Sequence, residues 1–254
     1  MIHTKKECLP LLETVNPEGG KLICIAGRPG MGKTALALHL AMEYAKTNGK
    51  TVYIFSLELS ATQIYDRLLI ALSEVDSYTF REKLFSERDK ENIKAARGKL
   101  SELHFIIDDT ASLTVKELAD KTNAVDNLGM IIIDGLLPLV GKEKAEERYK
   151  PCRAIVRELK RLAKHVNIPI FFTSQLSRSV ERRRDKRPRL TDLRDVGGSE
   201  VDVDTVCLLY REGYYEPFEN AGTAEIIIPQ NIHGLCGTVP LKWQGEFMKF
   251  SEEK

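Results

Sequence analysis

Leu22-Ile23-Cys24-Ile25-Ala26 runs directly into Gly27-Arg28-Pro29-Gly30-Met31-Gly32-Lys33-Thr34, and Ala35-Leu36-Ala37-Leu38 follows. A short apolar run, a Gly-rich octapeptide and an Ala/Leu-rich segment, in that order, read as strand, phosphate loop and helix. The spacing Gly27-x-x-x-x-Gly32-Lys33-Thr34 is the Walker A pattern. Small residues let the backbone wrap a phosphate chain with its N–H groups, and the helix N-terminus beneath them adds positive potential. Gly27, Arg28, Pro29, Gly30, Met31, Gly32, Lys33 and Thr34 are therefore expected to hold ATP. Lys33 should reach the β and γ phosphates, and Thr34 should ligate Mg²⁺ through its hydroxyl. A Gly-rich turn that matched by chance would have no reason to sit at such a seam.

Apolar runs alternate with helix-period segments on the C-terminal side of this seam, the pattern of repeated βα units. Strands are expected at Leu22–Ala26, Val52–Leu57, His104–Ile107, Met130–Ile133 and Ile168–Thr173. Helices are expected at Thr34–Lys46, Ala61–Ser73, Glu87–Ser101, Val115–Asn127 and Tyr149–His165, with Asn48-Gly49 stopping the first. Beyond residue 200 helical periodicity fades, and Val203–Tyr210, Thr223–Ile228, Gly237–Trp243 and Glu246–Phe250 read as further, partly antiparallel strands. The charged stretch Arg178–Arg194 between the two regimes reads as a loop or pair of loops. The fold class is thus α/β, with a mainly parallel central sheet flanked by helices and additional C-terminal β-strands.

The chain has 254 residues, enough for one large α/β domain, and 38 Lys and Arg against 37 Asp and Glu. Such a balance gives no global field toward nucleic acid or a membrane, so any nucleic-acid surface must be local. The five cysteines are scattered without a C-x-x-C pair, which fits reduced thiols in a cytoplasmic protein. No stretch approaches the length of a membrane span.

A phosphate loop holds a triphosphate but does not position water, so hydrolysis needs carboxylates. Asp134 closes the apolar run Met130-Ile131-Ile132-Ile133, the arrangement of a Walker B site, and should serve the Mg²⁺ shell directly or through water. Glu58 closes Val52-Tyr53-Ile54-Phe55-Ser56-Leu57 and is the candidate for polarising the attacking water. Gln175, where Ile168–Thr173 runs into Ser174, is placed to sense the γ-phosphate. Acids after strands also serve turns and helix N-caps, and Asp108-Asp109 reads as a loop and helix start because Thr110 to Thr114 supply capping residues ahead of Val115.

These residues resemble the ATPase domain of the bacterial and phage replicative helicases of the DnaB type, members of the RecA-like P-loop NTPases. Gly27 to Thr34 is similar to that family's Walker A, and Phe55-Ser56-Leu57-Glu58 to the segment with its catalytic glutamate. The ordered series Ser174-Gln175-Leu176-Ser177-Arg178, Asp185-Lys186-Arg187-Pro188 and Asp192-Leu193-Arg194 is the most specific part. The resemblance covers residues 19–250 and implies a RecA-like ATPase domain at 19–254. It further implies a homo-oligomeric ring, usually hexameric, that encircles single-stranded DNA and moves along it by hydrolysing ATP at subunit interfaces during replication. Arg178, Arg194, Asp195, Val196 and Gly197 match the segment that touches the DNA backbone in such rings. Between Arg178 and Arg194 stand eight cations and three acids, a balance able to track phosphates without reading bases.

Three departures stand against the resemblance. Where the family carries Tyr and then a Leu-Gln-Leu segment after its Walker B Asp, this chain has Gly135-Leu136-Leu137-Pro138-Leu139. Where it carries Ile-Ile-x-Lys-Gln-Arg-Asn-Gly, whose Lys and Arg reach the neighbour's γ-phosphate, an ungapped alignment places Gln230 and Ile232. Both cations are missing, which leaves open a second reading: an ATP-binding, hydrolysis-impaired homologue acting as a regulatory or binding module. The chain also lacks the N-terminal domain of about 150 residues, a size typical of a separate domain, so primase and loader contacts are not expected of it. Residues 1–18 read as an N-terminal segment, with 3–15 a short remnant of a linker helix broken by Pro10.

Overall fold

The computed structural model describes residues 11–136, 139, 149–193, 202–216 and 221–252. Among these, nine strands form one sheet in the order β3-β2-β4-β5-β1-β6-β7-β8-β9. The first six in that order are mutually parallel: β3 (Phe105–Asp108), β2 (Thr51–Ser56), β4 (Leu128–Asp134), β5 (Ile170–Gln175), β1 (Leu22–Gly27) and β6 (Thr205–Tyr210). Strands covered by helices on both faces read as continuous apolar runs, and every residue of β1 and β6 is buried. The last three, β7 (Thr223–Asn231), β8 (Gly237–Gln244) and β9 (Lys249–Glu252), are antiparallel. Burial alternates along most of β7, as a strand with one open face requires.

The period of two along each strand sorts side chains between two cores. Ile23, Ile25, Val52, Ile54, Met130, Ile132 and Phe171 pack with Leu36, Ala37, Leu40 and Ala41 of α2 (Lys33–Asn48). Leu22, Cys24, Tyr53, Phe55, Ile131, Ile133, Ile170 and Phe172 pack with Val156, Leu159 and Ala163 of α7 (Tyr149–Val166). Extending the period from Ile132 to Asp134 and from Phe171 to Thr173 puts both polar residues on the α2 side, at the C-terminal strand ends. Ligand sites of open α/β sheets lie at those ends.

Helix boundaries follow the capping chemistry. Gly49, at φ 61, ends α2, as Asn48-Gly49 suggests. Capping boxes open α3 (Ala61–Ser73) with Ser60 and Gln63, α5 (Glu87–Ser101) with Ser86 and Asp89, and α6 (Val115–Asn123) with Thr114 and Glu117. The sixth helix stops at Asn123 rather than Asn127, because Ala124 leaves helical geometry and Asn127, at φ 54, turns the chain into β4. A short helix α4 (Ser77–Glu82), capped by Asp76, has no counterpart in the sequence reading, since six residues display no period. In place of a strand over Glu246–Phe250, a 3₁₀ turn spans Gly245–Phe247, and β9 begins only after Met248 at φ 51. Within Arg178–Arg194, the described residues form two 3₁₀ turns, Arg178–Arg182 and Leu190–Asp192. Directly after Pro10, α1 (Leu11–Val15) begins with Leu11 donating its N–H to Glu252 Oε1 at 2.8 Å, and it buries Leu11 and Val15 in the α2-side core.

Asp108 and Asp109 have structural partners. Asp109 accepts the N–H of Ala61 at the start of α3, while Asp108 takes Lys121 Nζ at 2.5 Å and the Tyr53 hydroxyl at 3.1 Å. Burial by itself would raise the Asp108 pKa, but the bonds from Lys121, Thr110 and Tyr53 more than offset it and hold it at about 2. A carboxylate depressed in the folded state stabilises the fold above its ordinary pKa of 3.8 and loses that contribution as pH falls from there toward about 2. Lys121→Met should therefore begin acid unfolding at a higher pH than the wild type by circular dichroism. Coincident acid transitions would mean that the ion pair contributes nothing.

Candidate nucleotide site

Between β1 and α2 the chain turns through Gly30 at φ 76 and Gly32 at φ 101, both in the left-handed region that glycine occupies without strain. Space there is equally restricted. A Cβ on Gly32 would lie 3.1 Å from the Phe250 ring, and one on Gly30 would lie 3.1 Å from the Tyr214 ring. The open loop leaves its amides facing the start of α2, where Lys33 arches back with Nζ 3.4 Å from the Arg28 carbonyl.

One hundred residues apart in sequence, Thr34 and Asp134 meet. The Thr34 hydroxyl is 2.8 Å from Asp134 Oδ2 and 3.1 Å from Oδ1. A hydroxyl and a carboxylate are hard oxygen donors of the kind that hold Mg²⁺ together with phosphate oxygens and water. Among the described residues no group of three or more His, Cys, Asp or Glu could hold a metal ion, so this pair fits a metal carried in with its phosphates rather than an all-protein cage. Glu58 lies in the same cluster. Burial, and then the negative charge of Asp134, push its pKa up, while Lys33 pulls it down. Gly135, at φ 103, makes room for it, since a Cβ there would stand 2.9 Å from Glu58 Cγ. That backbone geometry suits glycine and strains any other residue, so the departure Gly135 is a local conformational change as well as a side-chain deletion.

Gln175 ends β5 half-buried, paired in register with Gly27 at the root of the loop, on the same strand parity as Thr173. The remaining loop residues divide by role. Pro29 and Gly30 are exposed, whereas Met31 is buried in the α2-side core and offers the cradle only its backbone. The Arg28 side chain turns toward the segment after β5, giving Nη1 to the Leu176 carbonyl at 2.7 Å and Nε to Glu181 at 3.0 Å. It is a strut under the loop, not a side chain presented to phosphate. Arg28→Ala should lower unfolding free energy in urea by about 1–3 kcal/mol, the cost of leaving a buried polar partner unmet. An unchanged midpoint would show that the strut carries no load.

Residues with no signal in the sequence complete the surroundings. Arg211 donates Nη1 to the carbonyls of Gly30 at 3.2 Å and Met31 at 3.4 Å, and stands 4.4 Å above the Trp243 ring. Trp243 in turn packs on Phe250 at 4.6 Å. The late antiparallel strands thus form one wall of the loop, a contact across some two hundred positions that no local pattern announces. Arg67 of α3 also reaches this region: burial lowers its pKa, and the field of Asp134 opposes that. Thr173, buried, donates its hydroxyl to Asp134 Oδ1 at 2.9 Å.

The basic stretch is partly consumed by the fold. Arg183 makes a forked pair with Asp192 at 2.8 Å on both nitrogens, and Arg187 another with Glu225 at 2.8 and 2.6 Å. Lys186 lies 4.7 Å from the Tyr215 ring centre. Asp192 and Leu193 are buried and anchor the base of the loop. Arg178, Arg182, Arg184 and Arg189 remain exposed. Arg194, Asp195, Val196 and Gly197 lie outside the described residues. At the far end of β7, Gln230 gives Nε2 to the Val203 carbonyl at 2.6 Å, and Ile232 is 58% exposed in the turn toward β8.

Comparison with known proteins agrees with this geometry. The family model of the DnaB-like helicase C-terminal domain matches residues 14–252. The replicative DNA helicase DnaB of Geobacillus stearothermophilus is 40% identical over 234 residues, covering 90% of this chain and 52% of that protein. The replicative DNA helicase DnaC of Bacillus subtilis is 39% identical over the same length, and the DnaB of Rickettsia conorii is 36% identical over 260 residues, 53% of its length. The chain thus spans about half the length of the curated relatives it matches. A solved helicase ATPase domain superposes with a TM-score of 0.85 at 31% identity, covering 92% of this chain and 85% of that one. The structure of a DnaB-like replicative helicase, described with its interactions with primase, gives 0.87 at 31% identity over 93% of this chain and 58% of the other. Its RecA-like sheet, the phosphate loop joined to Asp134 and Glu58, and a match running through nearly every described strand make this chain a member of the DnaB-like helicase C-terminal domain family.

Proposed function

We propose that this chain is an ATP-driven motor domain that translocates on single-stranded DNA, acting as a DnaB-type helicase in DNA replication. The observation that carries the reading is the convergence of Lys33, Thr34, Glu58 and Asp134, drawn from three strand ends and one helix start, on a single phosphate cradle. ATP and Mg²⁺ are the cofactors this constellation suits. Lys33 and the loop amides bind the phosphate chain. Glu58, as the carboxylate, orients the attacking water and draws on its proton, and Gln175 stands beside the loop within the same ladder as Gly27. When bound, Mg²⁺ supplies charge neutralisation of the phosphate oxygens. The exposed Arg178, Arg182 and Arg184, with Arg194 to Gly197 following, form the DNA-facing side.

A homo-oligomeric ring, hexameric as in the family's usual assembly, completes the proposal, because Gln175 and Glu58 lie on one subunit's half of a site whose other half comes from a neighbour. No helix among the described residues is long and apolar enough to cross a membrane, which is consistent with a cytoplasmic motor. Steady-state ATP hydrolysis measured with and without single-stranded DNA tests the reading: DNA-stimulated turnover supports it, and turnover at the buffer rate in both conditions sinks it.

One observation favours a second reading. The family's cationic positions hold Gln230, tied back to Val203, and the exposed aliphatic Ile232. A regulatory homologue that binds nucleotide without efficient turnover would look like this. Tight binding of a fluorescent ATP analogue with no DNA-stimulated hydrolysis selects it, whereas strand separation by the chain at motor rates excludes it.

A further inference from the structure

Asp134 is a carboxylate with 3% of its surface exposed, and a buried carboxylate holds one orientation only if donors fix its oxygens. Two hydroxyls do so. Thr34 comes from the nucleotide side. Thr173, 3% exposed, comes from the neighbouring strand β5 and gives its proton to Oδ1 at 2.9 Å.

The direction of that bond is settled by the donors present. The backbone N–H of Gly135 points at Thr173 Oγ1 from 2.7 Å, and an N–H can only donate. The oxygen therefore accepts from Gly135, leaving the single hydroxyl proton for Asp134, which as a carboxylate can only accept. The next amide, Leu136 N–H, goes to the Thr173 carbonyl at 3.2 Å, so consecutive amides clamp one residue. Two features make the arrangement possible. Gly135 takes φ 103, which swings its N–H toward β5, and it has no Cβ to strike Glu58 Cγ at 2.9 Å.

We infer that Thr173, held by Gly135, is a positioning residue for the metal-binding carboxylate: it fixes Asp134 through Oδ1 so that the face shared with Thr34 is presented to a divalent cation bound with nucleotide. This rests on the nucleotide-site reading above. Thr173 touches neither phosphate nor metal; it acts through Asp134. Outer partners of this kind orient a ligand and raise metal affinity by holding it ready.

The test is binding of Mn²⁺, read by its electron paramagnetic resonance signal, to the protein with a non-hydrolysable ATP analogue. Wild type is compared with Thr173→Val, of nearly the same shape, Thr173→Ala and Thr173→Ser. The expected result is a loss of Mn²⁺ affinity of about 10–100-fold in the Val and Ala variants, as for other outer-sphere partners, with recovery in the Ser variant. Binding of the analogue in EDTA separates this from general damage. Losses of equal size with and without metal, or Val and Ala variants that hold Mn²⁺ as the wild type does, overturn the positioning role. Should the wild type bind no Mn²⁺ with the analogue while Thr34→Ala behaves identically, the nucleotide-site reading itself fails, and the positioning role falls with it.

Discussion

Lys33→Ala is expected to reduce ATP hydrolysis by about 10²–10³-fold, the usual effect of deleting one preorganised charge that meets developing negative charge in a transition state. Lys33 begins α2, where its backbone is fixed by the left-handed Gly32 and its side chain arches over the loop toward the Arg28 carbonyl. That pose leaves the ammonium above the amides instead of out in solvent. Alanine keeps the helix, since it is the strongest helix former, so the loss should appear without a fall in thermal stability. Lys33 also lowers the pKa of Glu58, against burial and Asp134. Its removal should therefore move the acid limb of any residual pH–rate profile to higher pH, because the base is then protonated over a wider range. Measuring single-turnover hydrolysis across pH checks both parts. A variant that retains wild-type turnover would show that phosphate is not bound at this loop.

The second large effect is a gain. Gln230→Lys combined with Ile232→Arg should raise DNA-stimulated hydrolysis, since an arginine supplied in trans accelerates related phosphoryl transfers by about 10³–10⁵. The local fold permits the change. Ile232 is 58% exposed in the β7–β8 turn, so an arginine there displaces no core packing. Gln230 gives up its bond to Val203, a loss of about 1 kcal/mol. A trans-acting residue works only in assembled protein, so the gain should grow with protein concentration and vanish under dilution. If the double variant hydrolyses ATP no faster than the wild type at any concentration, either the hairpin does not face a neighbour's phosphate or the chain does not assemble.

Much of the site was legible because its signals are local. The Gly27 to Thr34 spacing carries the loop by itself, since only glycine tolerates φ 76 and φ 101 where the chain must bend toward phosphate. Asp134 and Glu58 were legible as acids closing apolar runs, and parallel strands covered on both faces announce themselves by such runs. Val115–Asn127 and Glu246–Phe250 were overextended, because their ends are set by single residues in left-handed or turn geometry, Asn127 and Met248, that a periodic pattern does not register.

The sequence alone determined that a strand, a phosphate loop and a helix occur in succession, that acids stand at two further strand ends, and that the cations expected near Gln230 and Ile232 are absent. Each is a statement about neighbours along the chain. Which groups meet was decided only in three dimensions. The sheet order sets β4 and β5 side by side, so that Thr173 meets Asp134, and folds the C-terminal strands back so that Arg211, Trp243 and Phe250 wall the loop. Arg28 and Asp192, which read as ligand-facing, turn inward to Glu181 and Arg183. The reason is physical: a side chain's role depends on which partners satisfy its charge once water is removed, and those partners come from segments whose proximity only the folded sheet creates.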